Sequence, residues 1–276
     1  MPQQPKKQTI PGVHAKKLQG SPIVMLTAYD ATQAALVQKA EIDIILVGDS
    51  LGMTVLGYDS TVPVTIDDMV HHAKAVRHGA PDTMVVVDMP FLTYHQNIET
   101  TVRLAGRLMQ EAHADAVKLE GGAAIVTHIK ALVQAGIPVC GHLGLTPQAV
   151  LHMGGYKVQA KDVVSADQLM DDALAVEQAG AFAVVLECIP SVVAKRVTET
   201  VRIPTIGIGA GEFCDGQVLV FHDVVGLTQG SRPKFVKQYA ALGDSALDAL
   251  KAYRDEVVSR RFPDLDHQYN ISISEP

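Results

Sequence analysis

The sequence predicts an α/β fold, a closed (β/α)8 barrel (TIM barrel) that forms a single domain with extra C-terminal helices. Eight short runs of aliphatic and β-branched residues recur along the 276-residue chain. Most of these runs are separated by Ala-rich segments with the spacing of amphipathic helices. Near-continuous apolar strands that alternate with helices are typical of a parallel sheet covered on both faces. Eight such strands favour a closed barrel over an open sheet.

The predicted strands follow one another at intervals that leave room for helices. Their ranges are 23–30, 43–49, 84–90, 116–122, 138–144, 182–188, 203–211 and 217–223. The predicted helices between them include 32–40, 101–114, 125–136 and 168–180, and the last two end on a glycine, as helix C-caps often do. The segment "GEFCDG" after the seventh strand is too short to hold a helix. Two further helical segments are expected after Val224.

The chain divides into three predicted parts without an internal linker or a second domain. Residues 1–19 are expected to form an N-terminal extension that is flexible at its start. Residues 20–262 are expected to form the barrel with its C-terminal helices, and residues 263–276 a polar, acidic tail.

Composition excludes several classes of function. The formal net charge is −7, and no dense Lys/Arg stripe is present, which argues against a nucleic-acid partner. The 3 cysteines lie far apart and form no C-x-x-C pair, which argues against a disulfide framework or a structural zinc site. No secretory signal and no apolar run long enough for a membrane span is found. We therefore expect a cytoplasmic protein with no membrane partner.

Ionisable side chains end most of the predicted strands, and active sites of barrels lie at that end. The residues concerned are Asp30, Asp49, Asp88, Glu120, His142, Glu187, His222 and Asp223. Any one of them could instead belong to a turn or a helix N-cap. Together, however, they would crowd negative charge on one rim, which is costly without a compensating cation. Because Asp49, Asp88 and Glu120 close three successive strands, we predict that they converge on a hard divalent ion such as Mg²⁺.

The other strand-end residues differ in their chemistry. Lys118 lies two residues before Glu120 and therefore shares its inward face, either in an internal ion pair or as an anchor for a substrate carboxylate or enolate. His142 in "CGHLG" is either a core histidine or a ligand contact. Glu187 lies across the barrel from the predicted metal ligands, where a general base would be required. The segment "GIGAG" (207–211) is a weak dinucleotide signal and fits a tight turn better.

Longer sequence blocks carry a family resemblance from about Thr27 to Lys237. The blocks are "VGDSLGM", "GYDSTVPVT", "HHAKAVRHGAP", "VKLEGG", "PVCGHLGLTPQ", "GGYKVQ", "VLEC-P", "IPTIGIGAG" and "DGQVLV". In this order they resemble the ketopantoate hydroxymethyltransferase family. The resemblance implies a barrel enzyme that transfers the one-carbon unit of methylene-tetrahydrofolate to C3 of α-ketoisovalerate (3-methyl-2-oxobutanoate). The products would be ketopantoate and tetrahydrofolate, in the first committed step of pantothenate and coenzyme A biosynthesis.

The resemblance also implies roles for single residues. Asp49 and Asp88 would be direct ligands of one Mg²⁺ per subunit, and Glu120 would belong to the same cluster. Ser50, Asp88, Lys118 and His142 would hold the keto acid. Glu187 would be the base that removes the C3 proton of the keto acid, and Mg²⁺ would stabilise the resulting enolate. The resemblance further implies a homo-oligomer, commonly a decamer.

Two other interpretations remain open from the sequence. One is a metal-dependent lyase or mutase of the phosphoenolpyruvate mutase/isocitrate lyase type, which would share the Mg²⁺ site but cleave a C–C or C–P bond. The other is a non-catalytic barrel that binds a ligand. One-carbon transfer from folate would exclude the first, and catalysed proton exchange would exclude the second.

Overall fold

The structure, a computed structural model, describes residues 7–228, 230 and 233–269. Eight parallel strands form a closed barrel in chain order, and the eighth strand pairs with the first. The predicted fold class is therefore confirmed. Closure leaves no strand edge unpaired, and it brings the C-terminal ends of all eight strands to one rim.

The strands are shorter than the apolar runs that predicted them. They are β1 Ile23–Thr27, β2 Ile44–Val47, β3 Met84–Asp88, β4 Ala116–Glu120, β5 Val139–Gly144, β6 Ala183–Glu187, β7 Thr205–Ile208 and β8 Gly216–Leu219. All except β8 lie inside the predicted ranges. Except for β5, whose predicted range ends with the strand at Gly144, the predicted ranges extend past the strands because the runs continue into the following turns.

Ten α-helices are found among the described residues. They are α1 Ile10–Gln19, α2 Ala31–Lys39, α3 Leu51–Thr54, α4 Ile66–Gly79, α5 Ile98–Glu111, α6 Val126–Gln134, α7 Val163–Gln178, α8 Ser191–Thr200, α9 Phe221–Val225 and α10 Leu242–Val258. Side-chain caps begin several of them. A capping box at Thr65 and Asp68 begins α4, and a second one at Asp162 and Ser165 begins α7.

Three of the predicted strand-end residues have other positions. Asp30 is the N-cap of α2, and its carboxylate accepts a hydrogen bond of 2.8 Å from Gln33 N. Because β8 ends at Leu219, His222 and Asp223 lie on α9 instead of at a strand end. The prediction of strand-end positions is wrong for these three residues. For Asp30, the alternative of a helix cap is correct.

Contacts within the chain divide it into two compact units. One unit is Met1–Phe221 together with Lys234–Val236, and it contains all eight strands. The other is His222–Pro233 together with Lys237–Pro276. Of the two helical segments expected after Val224, the described residues contain one long helix, α10. The end of the predicted tail, 270–276, lies outside the described residues. No helix of the described chain is long and apolar enough to cross a membrane.

The inner face of the barrel changes from apolar to ionic along the strands. Successive inward positions of β4 are Ala116, Lys118 and Glu120, and all three are buried. Ala116 and Cys140 belong to the apolar core cluster, whereas His142, two residues after Cys140, is a buried ionisable group at the other end. Since side chains alternate along a strand, residues two apart share one face. The interior is therefore packed near the N-terminal ends of the strands and polar near their C-terminal ends.

The helix α1 packs against the N-terminal ends of the strands, although its residues were predicted only as an extension. Val13 is fully buried in the apolar core cluster. Lys16 forms an ion pair of 2.6 Å with Asp43, and Lys17 forms one of 2.8 Å with Asp215. The predicted flexible start of the extension falls on residues 1–6, which lie outside the described residues.

The aspartates that bind α1 also bind the backbone of neighbouring strands. Asp43 Oδ2 accepts a hydrogen bond of 2.9 Å from Val24 N, and Asp215 Oδ2 accepts one of 2.8 Å from Thr205 N. Each carboxylate therefore joins α1 to a strand other than the one it precedes. Because these pairs are largely shielded from water, removing one partner leaves polar groups without a hydrogen bond.

Asp215→Ala should lower the free energy of unfolding by about 1–3 kcal/mol, since Lys17 and Thr205 N would both lose an acceptor. Urea denaturation followed by circular dichroism measures this loss. As a control, Glu199→Ala removes an exposed partner of Lys195, and it should leave the midpoint unchanged. Equal midpoints for Asp215→Ala and wild type would show that the ion pair does not stabilise the fold.

Candidate active site

The C-terminal ends of four neighbouring strands and the loop after β2 place six ionisable side chains close together. We call these residues the rim cluster: Asp49, Asp88, Lys118, Glu120, His142 and Glu187. Strand register explains the arrangement, because Asp88 pairs with Lys118 and Glu120 pairs with His142 across adjacent strands. The structure therefore brings together the residues that the sequence predicted for catalysis, keto-acid binding and metal binding, with Ser50 directly after Asp49.

Asp49 and Asp88 are in direct contact. The backbone N–H of Asp49 donates a hydrogen bond of 3.0 Å to Oδ2 of Asp88, and the two residues are only 3% and 2% exposed. Burial, followed by the charges of Asp88 and Glu120, raises the pKa of Asp49 well above its usual value. Burial also raises the pKa of Asp88, although the neighbouring Lys118 opposes this effect. Both carboxylates are therefore costly to ionise, even with Lys118 nearby.

Lys118 is a buried ammonium group inside this cluster. Its Nζ atom lies 3.1 Å from Asp88 Oδ1 and 3.8 Å from Glu120 Oε1. Burial lowers the pKa of Lys118, but the charges of Asp88, Glu120 and Asp49 outweigh burial and raise the pKa above its usual value. Lys118 is therefore charged, as a cationic anchor for a substrate oxygen requires.

His142 connects the two glutamates of the cluster. Its Nδ1 atom lies 3.1 Å from Lys118 Nζ and 3.4 Å from Glu120 Oε1, and its Nε2 atom lies 3.2 Å from Glu187 Oε2. Burial and Lys118 lower the pKa of His142, but the two glutamates outweigh them and raise it to about 9. With its pKa raised, the ring carries a positive charge between the two glutamates, although Nε2 has no hydrogen-bond partner among the described residues. Glu187 therefore lies beside the cluster as an ion-pair partner of His142.

Two more polar residues of the site were not predicted as functional. Gln148 donates a hydrogen bond of 2.8 Å from Nε2 to Asp49 Oδ2 and one of 3.0 Å from its backbone N to Glu120 Oε2. Tyr94 donates one of 2.7 Å from its hydroxyl to Gln148 Oε1. Gln148 ends the block "PVCGHLGLTPQ" that contributed to the family resemblance. Nothing in the sequence around Tyr94 indicates its position.

Ser50 has a buried partner beside the cluster. Its Oγ atom lies 2.8 Å from the hydroxyl of Tyr29, which is 1% exposed. Burial raises the pKa of Tyr29 to about 12, so the phenol keeps its proton. Either hydroxyl can therefore donate the hydrogen bond between Tyr29 and Ser50. The orientation of the Ser50 hydroxyl is therefore restricted before any substrate binds.

The donor set fits a Mg²⁺ ion held by Asp49 and Asp88. Oδ1 of Asp88 is buried and has no hydrogen-bond partner among the described residues, although Lys118 Nζ lies 3.1 Å away. Four carboxylates face one ammonium and one imidazole in the cluster, so negative charge is in excess. Within the described chain, no group of three or more His, Cys, Asp or Glu side chains is arranged to hold a metal ion. Mg²⁺, however, is commonly bound through one or two carboxylates, with substrate and water completing its ligands.

Comparison with known proteins extends the similarity beyond the motif blocks. The model of the ketopantoate hydroxymethyltransferase family matches residues 7–265. A 3-methyl-2-oxobutanoate hydroxymethyltransferase from Halalkalibacterium halodurans is 58% identical over 255 residues, which are 92% of this chain and 91% of the relative. One from Moorella thermoacetica is 53% identical over 266 residues, or 96% of this chain and 99% of the relative. The match therefore includes α1, which lies outside the blocks.

Solved structures with low sequence identity share the fold. A 2,3-dimethylmalate lyase of the phosphoenolpyruvate mutase/isocitrate lyase superfamily has a TM-score of 0.59 at 18% identity, covering 95% of this chain and 91% of the lyase. A phosphonopyruvate hydrolase in complex with oxalate and Mg²⁺ has a TM-score of 0.60 at 12% identity, covering 94% and 92%. At such identities these similarities concern the fold alone.

Asp49→Asn should raise the midpoint of thermal unfolding of the metal-free protein at pH 7.5. A carboxyl group whose pKa is raised in the folded state contributes stability only at low pH. In the unfolded chain the pKa of an aspartate is about 4. As the pH rises above this value and through the higher pKa of the folded protein, the contribution to stability is lost. The asparagine removes this cost, and its oxygen can still accept from Gln148. Because about 1 kcal/mol shifts the midpoint by roughly 2–4 °C in domains of 150–250 residues, calorimetry in EDTA resolves the change.

Asp171→Asn is the matched control for this measurement, because Asp171 is exposed on α7. Its midpoint should equal that of wild type. A lower midpoint for Asp49→Asn than for wild type would contradict the conclusion that Asp49 is costly to ionise in the metal-free protein.

Proposed function

The chain belongs to the ketopantoate hydroxymethyltransferase family, and from this we infer that the rim cluster is its active site. The enzyme forms ketopantoate from 3-methyl-2-oxobutanoate for pantothenate biosynthesis. The one observation that supports this site most strongly is the buried contact between Asp49 and Asp88, with Lys118 Nζ 3.1 Å from Asp88 Oδ1. The pair of carboxylates can bind a divalent ion, and the ammonium beside them can bind the carboxylate of a small keto acid.

The proposed co-substrate is methylene-tetrahydrofolate, which the family implies. The overall reaction consumes one keto acid, one methylene-tetrahydrofolate and one water. It breaks the C3–H bond of the keto acid and forms a C–C bond to the folate methylene carbon. Both C–N bonds of the folate methylene bridge break, and water supplies the hydroxyl group that this carbon carries on C3. The proton from C3 and the second proton of the water go to the two nitrogens of the released tetrahydrofolate, so that atoms balance.

Asp49 and Asp88 would hold Mg²⁺, with Glu120 close to the same position. When bound, Mg²⁺ supplies Lewis-acid chemistry, withdrawing electron density from the carboxylate and ketone oxygens of the keto acid and making its C3–H bond more acidic. The ammonium of Lys118 would bind a carboxylate or ketone oxygen of the same substrate. Ser50, oriented by Tyr29, would donate a further hydrogen bond to it.

Glu187 would accept the proton from C3. Its side chain is 15% exposed, so it is accessible from the open end of the barrel, and its Oε2 atom lies 3.2 Å from His142 Nε2. A positioned carboxylate base contributes typically about 10²–10⁴-fold to the rate. The proton moves to an oxygen of Glu187, and the electron pair of the C3–H bond becomes available for attack on the folate methylene carbon.

The homo-oligomeric assembly and the cytoplasmic location stay predictions.

Removing the divalent ion should abolish formation of ketopantoate, and adding Mg²⁺ should restore it. In the Asp88→Ala variant the activity should remain about 10²-fold or more below that of wild type at the same Mg²⁺ concentration, because several kcal/mol of Lewis-acid stabilisation are lost. Ketopantoate is measured by chromatography after treatment with EDTA and again after Mg²⁺ has been added back. Asp171→Ala serves as the control, and undiminished activity in EDTA would contradict the metal assignment.

Glu187→Gln should nearly abolish exchange of the C3 proton of 3-methyl-2-oxobutanoate. Proton removal does not depend on the folate, so wild-type protein with Mg²⁺ in D₂O should introduce deuterium at C3 without it. The loss of the methine signal in the NMR spectrum measures this exchange. Glutamine keeps the size of the side chain but cannot accept the proton, and the exchange rate should fall by about 10²-fold or more.

Binding of the keto acid, measured by calorimetry, is the control for this variant, since it should change little. Exchange as fast as in wild type would move the role of base to another group, with His142 the next candidate. Conversion to ketopantoate on addition of methylene-tetrahydrofolate distinguishes the transferase from a lyase of the same fold. Exchange in the wild type distinguishes it from a barrel that only binds.

A further inference from the structure

Gln148 contacts two carboxylates of the rim cluster from a loop outside the strands. It lies after β5 and is only 5% exposed. Its side-chain amide donates to Asp49 Oδ2, and its backbone N–H donates to Glu120 Oε2, at 2.8 Å and 3.0 Å. One residue therefore joins the carboxylate after β2 to the carboxylate at the end of β4 through hydrogen bonds.

The amide of Gln148 has a defined orientation. Its Nε2 atom also donates a hydrogen bond of 3.0 Å to the backbone oxygen of Met89, so both N–H bonds are used. Its Oε1 atom accepts from the Tyr94 hydroxyl, which in turn accepts a hydrogen bond of 3.1 Å from Glu120 N. A flipped amide would place its oxygen against the oxygens of Asp49 and Met89. Only one of the two amide orientations therefore satisfies all these groups.

This arrangement restricts the carboxylate of Asp49. The hydrogen bond from Gln148 occupies Oδ2, just as the hydrogen bond from Asp49 N occupies Oδ2 of Asp88. A neutral amide orients a carboxylate without cancelling its charge, in contrast to an ammonium such as Lys118. Residues that hydrogen-bond a metal ligand in this way typically change metal affinity by about 10–100-fold when replaced.

We infer that Gln148 is a positioning residue that holds the Asp49 carboxylate in place for a divalent cation, and that Tyr94 orients Gln148. The inference rests on the proposed function, because it requires Asp49 to bind such a cation. Neither residue touches the reacting atoms in this assignment. Their effect is transmitted through hydrogen bonds to Asp49 and Glu120.

The test is the affinity of metal-free protein for Mn²⁺, measured by the loss of the free-ion signal in electron paramagnetic resonance. Gln148→Met keeps the length of the side chain but removes both N–H donors, and its dissociation constant should rise about 10–100-fold. Gln38→Met is the matched control. Gln38 accepts hydrogen bonds from Asp82 N and Thr83 at the opposite end of the barrel, and its loss should leave the affinity within twofold of wild type.

Tyr94→Phe keeps the ring and removes only the hydroxyl. It should weaken Mn²⁺ binding less than Gln148→Met does. Because Tyr94 acts through Gln148, the double variant should bind no more weakly than Gln148→Met alone. Additive losses would overturn the assignment of Tyr94 as the group that orients Gln148.

The remaining outcomes also decide the inference. Affinity of Gln148→Met within twofold of wild type would overturn it while leaving the proposed metal site intact. If Gln148→Met does not unfold cooperatively in circular dichroism, unchanged affinity in Tyr94→Phe would overturn it instead. Failure of the wild-type protein to bind Mn²⁺ would overturn both this inference and the metal site in the proposed function.

Discussion

The buried ammonium of Lys118 is the charge around which the rim of this barrel is arranged. It lies within 4 Å of Asp88, Glu120 and His142. Even together with a protonated His142, Lys118 cannot neutralise four carboxylates, and a low-dielectric site makes the remaining repulsion costly. This excess negative charge explains why burial and like charges raise the pKa values of Asp49 and Asp88. It also makes the site suitable for a second cation.

The two ends of the barrel use charge in opposite ways. At the N-terminal ends of the strands, Lys16 and Lys17 of α1 pair one to one with Asp43 and Asp215, and both aspartates also accept backbone N–H groups. These pairs are balanced and stabilise the fold. At the C-terminal ends the charges are unbalanced, which destabilises the metal-free protein. Such a separation of stability and function between the two faces is typical of (β/α)8 barrels.

The functional side chains also depend on support from loops. Gln148, after β5, donates hydrogen bonds to Asp49 and Glu120 and so orients both carboxylates, while His142 at the end of β5 lies between Glu120 and Glu187. A catalytic or metal-binding group that is oriented before its ligand arrives loses less conformational entropy on binding. The closed sheet provides the positions of the side chains, and the loop after β5 restricts their orientation.

Periodicity and composition were sufficient to predict the fold, because strand alternation and the order of strands and helices are local properties of the chain. The same alternation placed Lys118 and Glu120 on one inner face, and the ends of β2–β6 identified the rim cluster. The sequence could not show that Asp30 caps α2 or that His222 lies on α9, since a carboxylate or imidazole after an apolar run has the same pattern in either role. It also could not identify Gln148, Tyr94 or the contacts of α1. These depend on hydrogen bonds and ion pairs between residues up to 198 positions apart, and only closure of the barrel brings such residues together.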